Sequence, residues 1–375
     1  MTTTSDSTET PSGSVVVTGA CGLVGTAVVS ELLSRGRHVV ATDLDTVDNR
    51  RAATTVTRRG RRSPGSVEFV WADLADQFSA AALVSGANPV AVIHLAAIIP
   101  PFCYANPAMA YRVNVMATDH LVAAADQVDD GCRFILASSV AVYGPRNPHS
   151  TDDLLTPATP LSPVDVYGHH KTIAERIVRD ARSQWLILRL GGVLDDHPNL
   201  QPNGDLTTFD RMLPGDGRLQ TVSVGDVARA FAAATETPVV GRCFLIGGDD
   251  SHRIRHQDVA HRVSAAMGLP GVIADSALGD PTDDGAWFAT DWMDTSEAQH
   301  ALRFQTQTFP DVLAVLSSRM GWRRHLLRCV APLVANARRR FVPDVVDPSQ
   351  PVNPWAAASA KWGDTSAVAD YRTDG

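Results

Sequence analysis

The chain has 375 residues, 44% of them hydrophobic and 20% charged, with a formal net charge of −8. This is enough chain for one large α/β domain with a smaller lobe, at the composition of an ordinary globular protein. The negative balance argues against a nucleic-acid partner, and there is no apolar run of the length a membrane span needs. Five cysteines (Cys21, Cys103, Cys132, Cys243 and Cys329) are scattered, odd in number and without a CxxC pair. They predict a reducing, cytoplasmic setting, no disulfide scaffold and no metal site.

Met1–Ser12 is mostly Thr and Ser, with neither a basic start nor an apolar core. It is expected to be a disordered leader and not a signal peptide. Ser14–Thr18 is then a short β-branched strand, followed by glycines and a helical stretch over Gly25–Ser34. Further strands are expected over His38–Thr42, Val67–Trp71, Val90–Ala96, Arg133–Ser138 and Trp185–Leu190. Runs this apolar suit strands buried on both faces of a parallel sheet. Helices are expected over Ala108–Asp126, Pro163–Arg182 and Gly225–Thr235. The alternation predicts an α/β fold with a Rossmann-type, doubly wound parallel sheet.

Two stretches break this rhythm. Asn49–Ser66 carries Arg50, Arg51, Arg58, Arg59, Arg61 and Arg62 and is expected to be a solvated loop beyond the second strand. After Phe309 a helix over Asp311–Arg340 is followed by a stretch holding Pro343, Pro348, Pro351 and Pro354, which reads as an extended tail. Within His325–Arg340, Leu326, Leu327, Val330, Leu333 and Val334 form an apolar side among arginines. Packing on the smaller lobe or on a dimer mate is the favoured reading, and contact with a membrane surface or an acidic partner the other.

Between the first strand and its helix lies Thr18-Gly19-Ala20-Cys21-Gly22-Leu23-Val24-Gly25. Gly19 permits a tight turn, Gly22 lets backbone approach a pyrophosphate, and Gly25 lets helix and strand pack closely. The helix start then offers free N–H groups and a positive dipole end to phosphates. Asp43 ends the second strand, where its carboxylate can bond both ribose hydroxyls and would repel a 2′-phosphate. The expected cofactor is therefore NAD, with the nearby arginines as the contrary signal for NADP.

Tyr167-Gly168-His169-His170-Lys171 places Tyr and Lys four apart on one helix face. The Lys171 ammonium is expected to lower the Tyr167 phenol pKa, so that Tyr167 can exchange a proton with a substrate oxygen. Ser138 and Ser139 end the fifth strand, where ligands of open parallel sheets gather. His94, in an apolar strand, reads as a satisfied core histidine, and Cys103 as a small apolar wall beside the substrate.

In order, the glycine turn, Asp43, Ala72-Asp73-Leu74, His94-Leu95-Ala96-Ala97, Val113-Asn114-Val115, Ser138-Ser139 through Tyr143-Gly144, and Tyr167 with Lys171 resemble the extended short-chain dehydrogenase/reductases of the NAD-dependent epimerase/dehydratase family. Arg189–Val193 and Val222–Ala228 continue the resemblance, which runs from about Ser14 to Phe309. It implies Tyr167 as acid/base, Lys171 tuning it and holding the nicotinamide ribose, Ser139 positioning the substrate oxygen and Asn114 supporting a relay water. It also implies adenine between Asp73 and Leu74, a dinucleotide path along Leu95, Ala96, Ala97 and Ser138, and nicotinamide near Gly192 and Val193. The implied organisation is a dinucleotide-binding unit of 13–190 with 219–247, a substrate lobe of 191–218 and 248–310, and a homodimer.

Ser139 is followed by Val140 and Ala141, where the family's 4,6-dehydratases carry an Asp-Glu pair, so dehydration by that route is not expected. Oxidation, reduction, or epimerisation through a transient ketone remains, on a small substrate bearing a secondary alcohol, with sugars or sugar derivatives, steroid-like alcohols and aldehydes all open. A regulator that senses the dinucleotide without turnover is the rival from another class.

Overall fold

The computed structural model describes residues 13–128, 131–198, 204–341, 347 and 349–366; the leader over Met1–Ser12 lies outside them. Seven parallel strands form the central sheet: β1 Ser14–Thr18, β2 His38–Asp43, β3 Ser66–Trp71, β4 Ala91–His94, β5 Arg133–Ser139, β6 Gln184–Leu190 and, after two strands of the smaller lobe (β7 Gly192–Leu194 and β8 Arg218–Ser223), β9 Arg242–Ile246. Their order, β3-β2-β1-β4-β5-β6-β9, reverses beside β1. In a doubly wound sheet that reversal opens a crevice at the carboxyl ends of the strands. β7 and β8 pair parallel, and β10 (Arg253–Arg255) pairs antiparallel with β8, giving a three-stranded sheet in the lobe.

Both faces of the large sheet are covered. Val15, Val17, Val39, Ala41 and Ile93 pack under the helices Leu23–Ser34 and Val224–Ala234 on one face. Val16, Val92, Phe134, Leu136 and Ile187 pack against Gln77–Ala87, Ala117–Ala125 and Val166–Arg179 on the other. Continuous β-branched runs form the strands because neither side meets water. β9 and the helix Gln77–Ala87 were not read as separate elements from sequence; the latter is rich in Ala and Ser, with little helical periodicity to reveal it.

Four expectations are corrected. The arginine-rich stretch is a helix, Val47–Gly60, capped by Thr46 Oγ1 accepting from Asn49 N at 3.1 Å. Its near arginines spend their charge locally, Arg50 on Asp45 at 2.6 Å and Arg51 on Asp48 at 3.0 Å. The helix expected over Asp311–Arg340 is two, Phe309–Met320 and Arg323–Phe341, separated at Gly321, whose φ is +55°. The tail is not extended throughout: Pro354–Trp362 is helical, capped by Asn353 with proline at its first position. Ala108–Asp126 also resolves into separate pieces, with a π-helical turn at Arg112–Met116 between two α-helices.

Candidate active site

The glycine turn follows from steric necessity. Gly19 has φ +62°, and a Cβ there would stand 2.8 Å from Ala96 N. A Cβ on Gly25 would stand 2.1 Å from Gly19 O, so this position closes the helix onto the turn. A Cβ on Gly22 would meet only Gly19 O, at 3.4 Å, leaving its other side open. Gly22 caps the helix without a side-chain bond, so the first-turn N–H groups around Leu23 and Val24 are offered outward.

Beside this turn runs a cleft of about 540 Å³ lined by Gly19, Gly22, Asp43, Asp73, Leu74, Leu95, Ala96 and Ala97. One Asp43 oxygen accepts from Cys21 N at 2.9 Å, and the other from Leu44 N at 2.9 Å and Asn49 Nδ2 at 3.0 Å. The acid thereby fixes the turn to the end of β2. Thr18 Oγ1 accepts from Leu95 N and Ala96 N at 3.1 and 3.2 Å, pinning the opposite wall. Its partner His94 is bonded through Nδ1 to Thr18 and through Nε2 to Thr118, a satisfied core histidine. Burial pushes that imidazole down to about 3, so it is neutral.

A second pocket of about 210 Å³ opens beyond the carboxyl end of β5. Ser139, Tyr167 and Gly192 line it, with aromatic walls from Phe209, Phe288 and Trp355. Tyr167 stands in the first turn of Val166–Arg179, a helix capped by Asp165. Asp165 accepts from Gly168 N at 3.1 Å and from the Tyr104 hydroxyl at 2.7 Å. Ser139 Oγ accepts from Ala141 N at 3.2 Å.

Lys171 is buried one turn below Tyr167. Its Nζ lies 5.7 Å from the Tyr167 ring centre and donates to Ala137 O at 2.8 Å. The expected depression of the Tyr167 pKa is not what the geometry gives. Burial raises the phenol, the ionisable neighbours Cys103 and Asp165 add to this, and the hydrogen bond to Ser139 opposes them. Lys171 itself is brought down to about 8 by burial, against the attraction of Glu175. Cys103 is buried, its thiol pushed up by burial, and it packs in the cluster that holds Tyr167, as a wall and not a nucleophile.

The other expected residues divide. Asn114 sits in the π-helical turn, its side chain donating to Ile98 O at 2.9 Å and accepting from Ile98 N at 2.7 Å. It holds the segment after β4 in place. Ser138 turns away from the cleft: its hydroxyl donates to Glu175 at 2.6 Å, inside a buried network where Arg189 meets Glu175 at 2.8 and 2.6 Å and Tyr143 at 2.6 Å. Val193 is half-buried against the main core, while Gly192 lines the second pocket. His170 packs edge-on against Tyr111, away from the pocket. Thr295 is the N-cap of Ser296–Leu302 without a side-chain bond to it, and Asp294 before it accepts from Ser296 N at 3.0 Å.

The aromatic walls were missed in the sequence. Trp355 belongs to the terminal helix, donates to Trp287 O at 3.0 Å and faces Phe288 at 5.3 Å between ring centres. Trp362 lies 6.0 Å from Phe209, and Val166 N donates to Thr365 O at 2.8 Å, tying residues 353–365, a strap across the pocket, to the start of the Tyr167 helix. The cap-and-proline start at Asn353-Pro354 was the available signal, outweighed by the prolines around it.

The model of the NAD dependent epimerase/dehydratase family matches residues 15–247. UDP-glucose 4-epimerase 4 of Oryza sativa subsp. japonica is 30% identical over 196 residues, 50% of this chain and 51% of that one. The 3-diazoavenalumate denitrifying reductase of a Streptomyces species is 26% identical over 301 residues, 75% of this chain and 90% of that one. The chain thus spans about half the length of the UDP-glucose 4-epimerase it matches. The structure of MoeE5 in complex with UDP-glucuronic acid and NAD superposes with a TM-score of 0.63 at 25% identity, over 84% of this chain and all of that one. With the ordered strands, the glycine turn and the Tyr167–Lys171 pair all inside the matched span, the chain belongs to the NAD-dependent epimerase/dehydratase family.

Proposed function

We propose that the protein transfers hydride between NAD and a secondary alcohol or ketone, as a net oxidoreductase or as an epimerase. The observation that carries this reading is the placing of Ser139 and Tyr167 on one small pocket, beside a cleft that holds the glycine turn and Asp43. The cleft fits the dinucleotide. Gly22 offers an open side where a pyrophosphate must approach, and the N–H groups of Leu23 and Val24 can donate to it. Asp43 would hold the adenosine ribose, Asp73 and Leu74 the adenine, and Leu95, Ala96 and Ala97 the path towards Gly192. Bound there, NAD supplies the hydride donor or acceptor.

The protein's own residues handle the proton and the alignment. Ser139 donates to the substrate oxygen and fixes it against Tyr167. With its pKa raised, Tyr167 rests as a neutral phenol, the form that gives a proton to a ketone oxygen as the carbonyl carbon gains hydride. The reverse step returns the proton from the alcohol to Tyr167. Lys171 and Asn114 act by position: one holds the strand end at Ala137, the other the loop at Ile98. Val140 and Ala141 carry no acid or base, so the pocket favours hydride and proton exchange over elimination of water. Phe209, Phe288 and Trp355 suit a compact ring, such as a sugar or sugar derivative presenting an apolar face.

Replacing Tyr167 by Phe tests the assignment. Turnover should fall by roughly a hundredfold or more while NADH binding, read by fluorescence titration, stays within about twofold. Substrates are sought by reduced-nicotinamide absorbance together with product analysis, since an epimerase recycles its cofactor. Undiminished turnover in Tyr167→Phe refutes the acid/base role. An intact chain that binds NADH but exchanges no hydride across the panel favours a dinucleotide-sensing regulator.

A further inference from the structure

The helix Arg323–Phe341 meets the body of the protein along a narrow seam. Ala331 and Ala335 are buried, Leu327 is half-buried, and the carbonyl of Arg324 lies against Gly268. With 3.6 residues per turn, the opposite side carries Trp322, Leu326, Val330 and Leu333. These side chains are 69%, 57%, 41% and 71% exposed, and Val334 flanks them at 40%. The sequence reading favoured burial of the apolar side against the smaller lobe or a dimer mate. Within one chain, small alanines make the seam and the large residues face outward.

The charge around this stripe is one-sided. Arg323–Phe341 contains six arginines and a histidine and not one Asp or Glu, in a chain whose net charge is −8. Among the described side chains, Arg323 and Arg328 are exposed, Arg323 beside Val330 at the edge of the stripe and Arg328 between the stripe and the seam. Two such helices placed face to face would set cation against cation with no acid between them, which disfavours a second copy as the occupant. An acidic bilayer supplies both missing halves: acyl chain for Trp322, Leu326 and Leu333, and phosphate for the arginines.

We propose that Arg323–Phe341 lies on the surface of an anionic lipid bilayer, with the Trp322–Leu326–Val330–Leu333 stripe at the boundary between headgroups and acyl chains. This is contact in the plane of the surface; among the described residues no helix is long and apolar enough to cross a membrane. The proposal does not depend on the reaction assigned above.

The intact chain is sedimented with phosphatidylcholine vesicles, with and without phosphatidylglycerol. The bound fraction should rise roughly tenfold or more on the anionic vesicles and fall again at high salt. The double variant Leu326→Asp, Leu333→Asp should lose vesicle binding while keeping its melting temperature and NADH affinity, which verify folding. No sedimentation of the intact chain overturns the proposal, as does equal binding to both vesicle types. If the double variant instead converts a dimer to a monomer by light scattering and vesicles are not bound, the stripe belongs to a second copy.

Discussion

Lys171 offers a quantitative test of how the site is built. Its ammonium is buried, with the Ala137 carbonyl at 2.8 Å as a neutral partner and Glu175 attracting it through the protein. Burial wins, and the pKa falls from 10.5 to about 8. Below pH 8 both folded and unfolded chains carry the proton, and the folded state bears the full cost of a buried charge. Between 8 and 10.5 the folded chain has released the proton while the unfolded chain still binds it, so stability rises with pH across this window. At 1.36 kcal/mol per pKa unit the rise amounts to about 3 kcal/mol. Desolvated thiols work in the opposite sense: half-buried Cys21 and buried Cys132 are pushed up to about 11 and about 12, so their contribution falls as pH passes 9. The raw stability curve is therefore a sum, and Lys171 is isolated by difference. Urea unfolding of the native chain and of Lys171→Met, at steps from pH 7 to 11, should give a difference that grows in favour of the native chain by about 3 kcal/mol from pH 8 to 10.5. A flat difference would mean that Lys171 stays solvated or fully charged, and its role as a desolvated ammonium beneath Tyr167 would fall.

Three further outcomes are expected. Asp43→Ala should weaken NADH binding by about 1.5–3 kcal/mol, the worth of hydrogen bonds to a charged group, and narrow its advantage over NADPH; fluorescence titration with both cofactors reads the two changes. Arg189→Met strips buried Glu175 of its closest charged partner, leaving Ser138 at 2.6 Å and Arg179 at 3.4 Å, and should cost about 3–5 kcal/mol in urea unfolding. Adding Glu175→Met should recover most of that loss, because it removes the buried carboxylate that the single change leaves without its main partner. Trp355→Ala should raise KM by roughly tenfold for any substrate found in the absorbance screen, leaving NADH affinity unchanged; a shift in NADH affinity would put Trp355 on the cofactor side.

The cofactor half of the site was legible because backbone sterics speak directly through sequence. Only glycine serves at Gly19 and Gly25, where a Cβ would strike Ala96 or Gly19 itself. Asp43 is readable for a related reason: strand end and acid recur at the point where the sheet order reverses. Ser138 was misplaced by one residue's difference in direction. Successive strand side chains point to opposite faces, so Ser139 reaches the pocket while Ser138 faces Glu175 and Arg189. The shift in Tyr167 was misjudged because spacing reports who is near but not how much water is lost. Arg50 and its neighbours looked like a loop, since Thr and Arg blur the helical period that tertiary packing of Ala53 and Val56 restores.

The substrate half has a different origin, and this bears on what the relatives can teach. The family match ends at residue 247, before Phe288 and before the strap that carries Trp355. Residues inside the match build the glycine turn, the Asp43 wall and the Ser139–Tyr167 pair. Residues beyond it build two of the three aromatic walls of the pocket. Likeness within 15–247 therefore constrains the hydride chemistry far more than it constrains the substrate. The strap also depends on the site it encloses, since Thr365 accepts its hydrogen bond from Val166, the residue before Tyr167. Helix start and pocket roof are thus one mechanical unit. A change in the strap that broke this bond is expected to disturb the position of Tyr167 as well as the size of the pocket, so that on the proposed reading proton transfer would fall together with substrate selection.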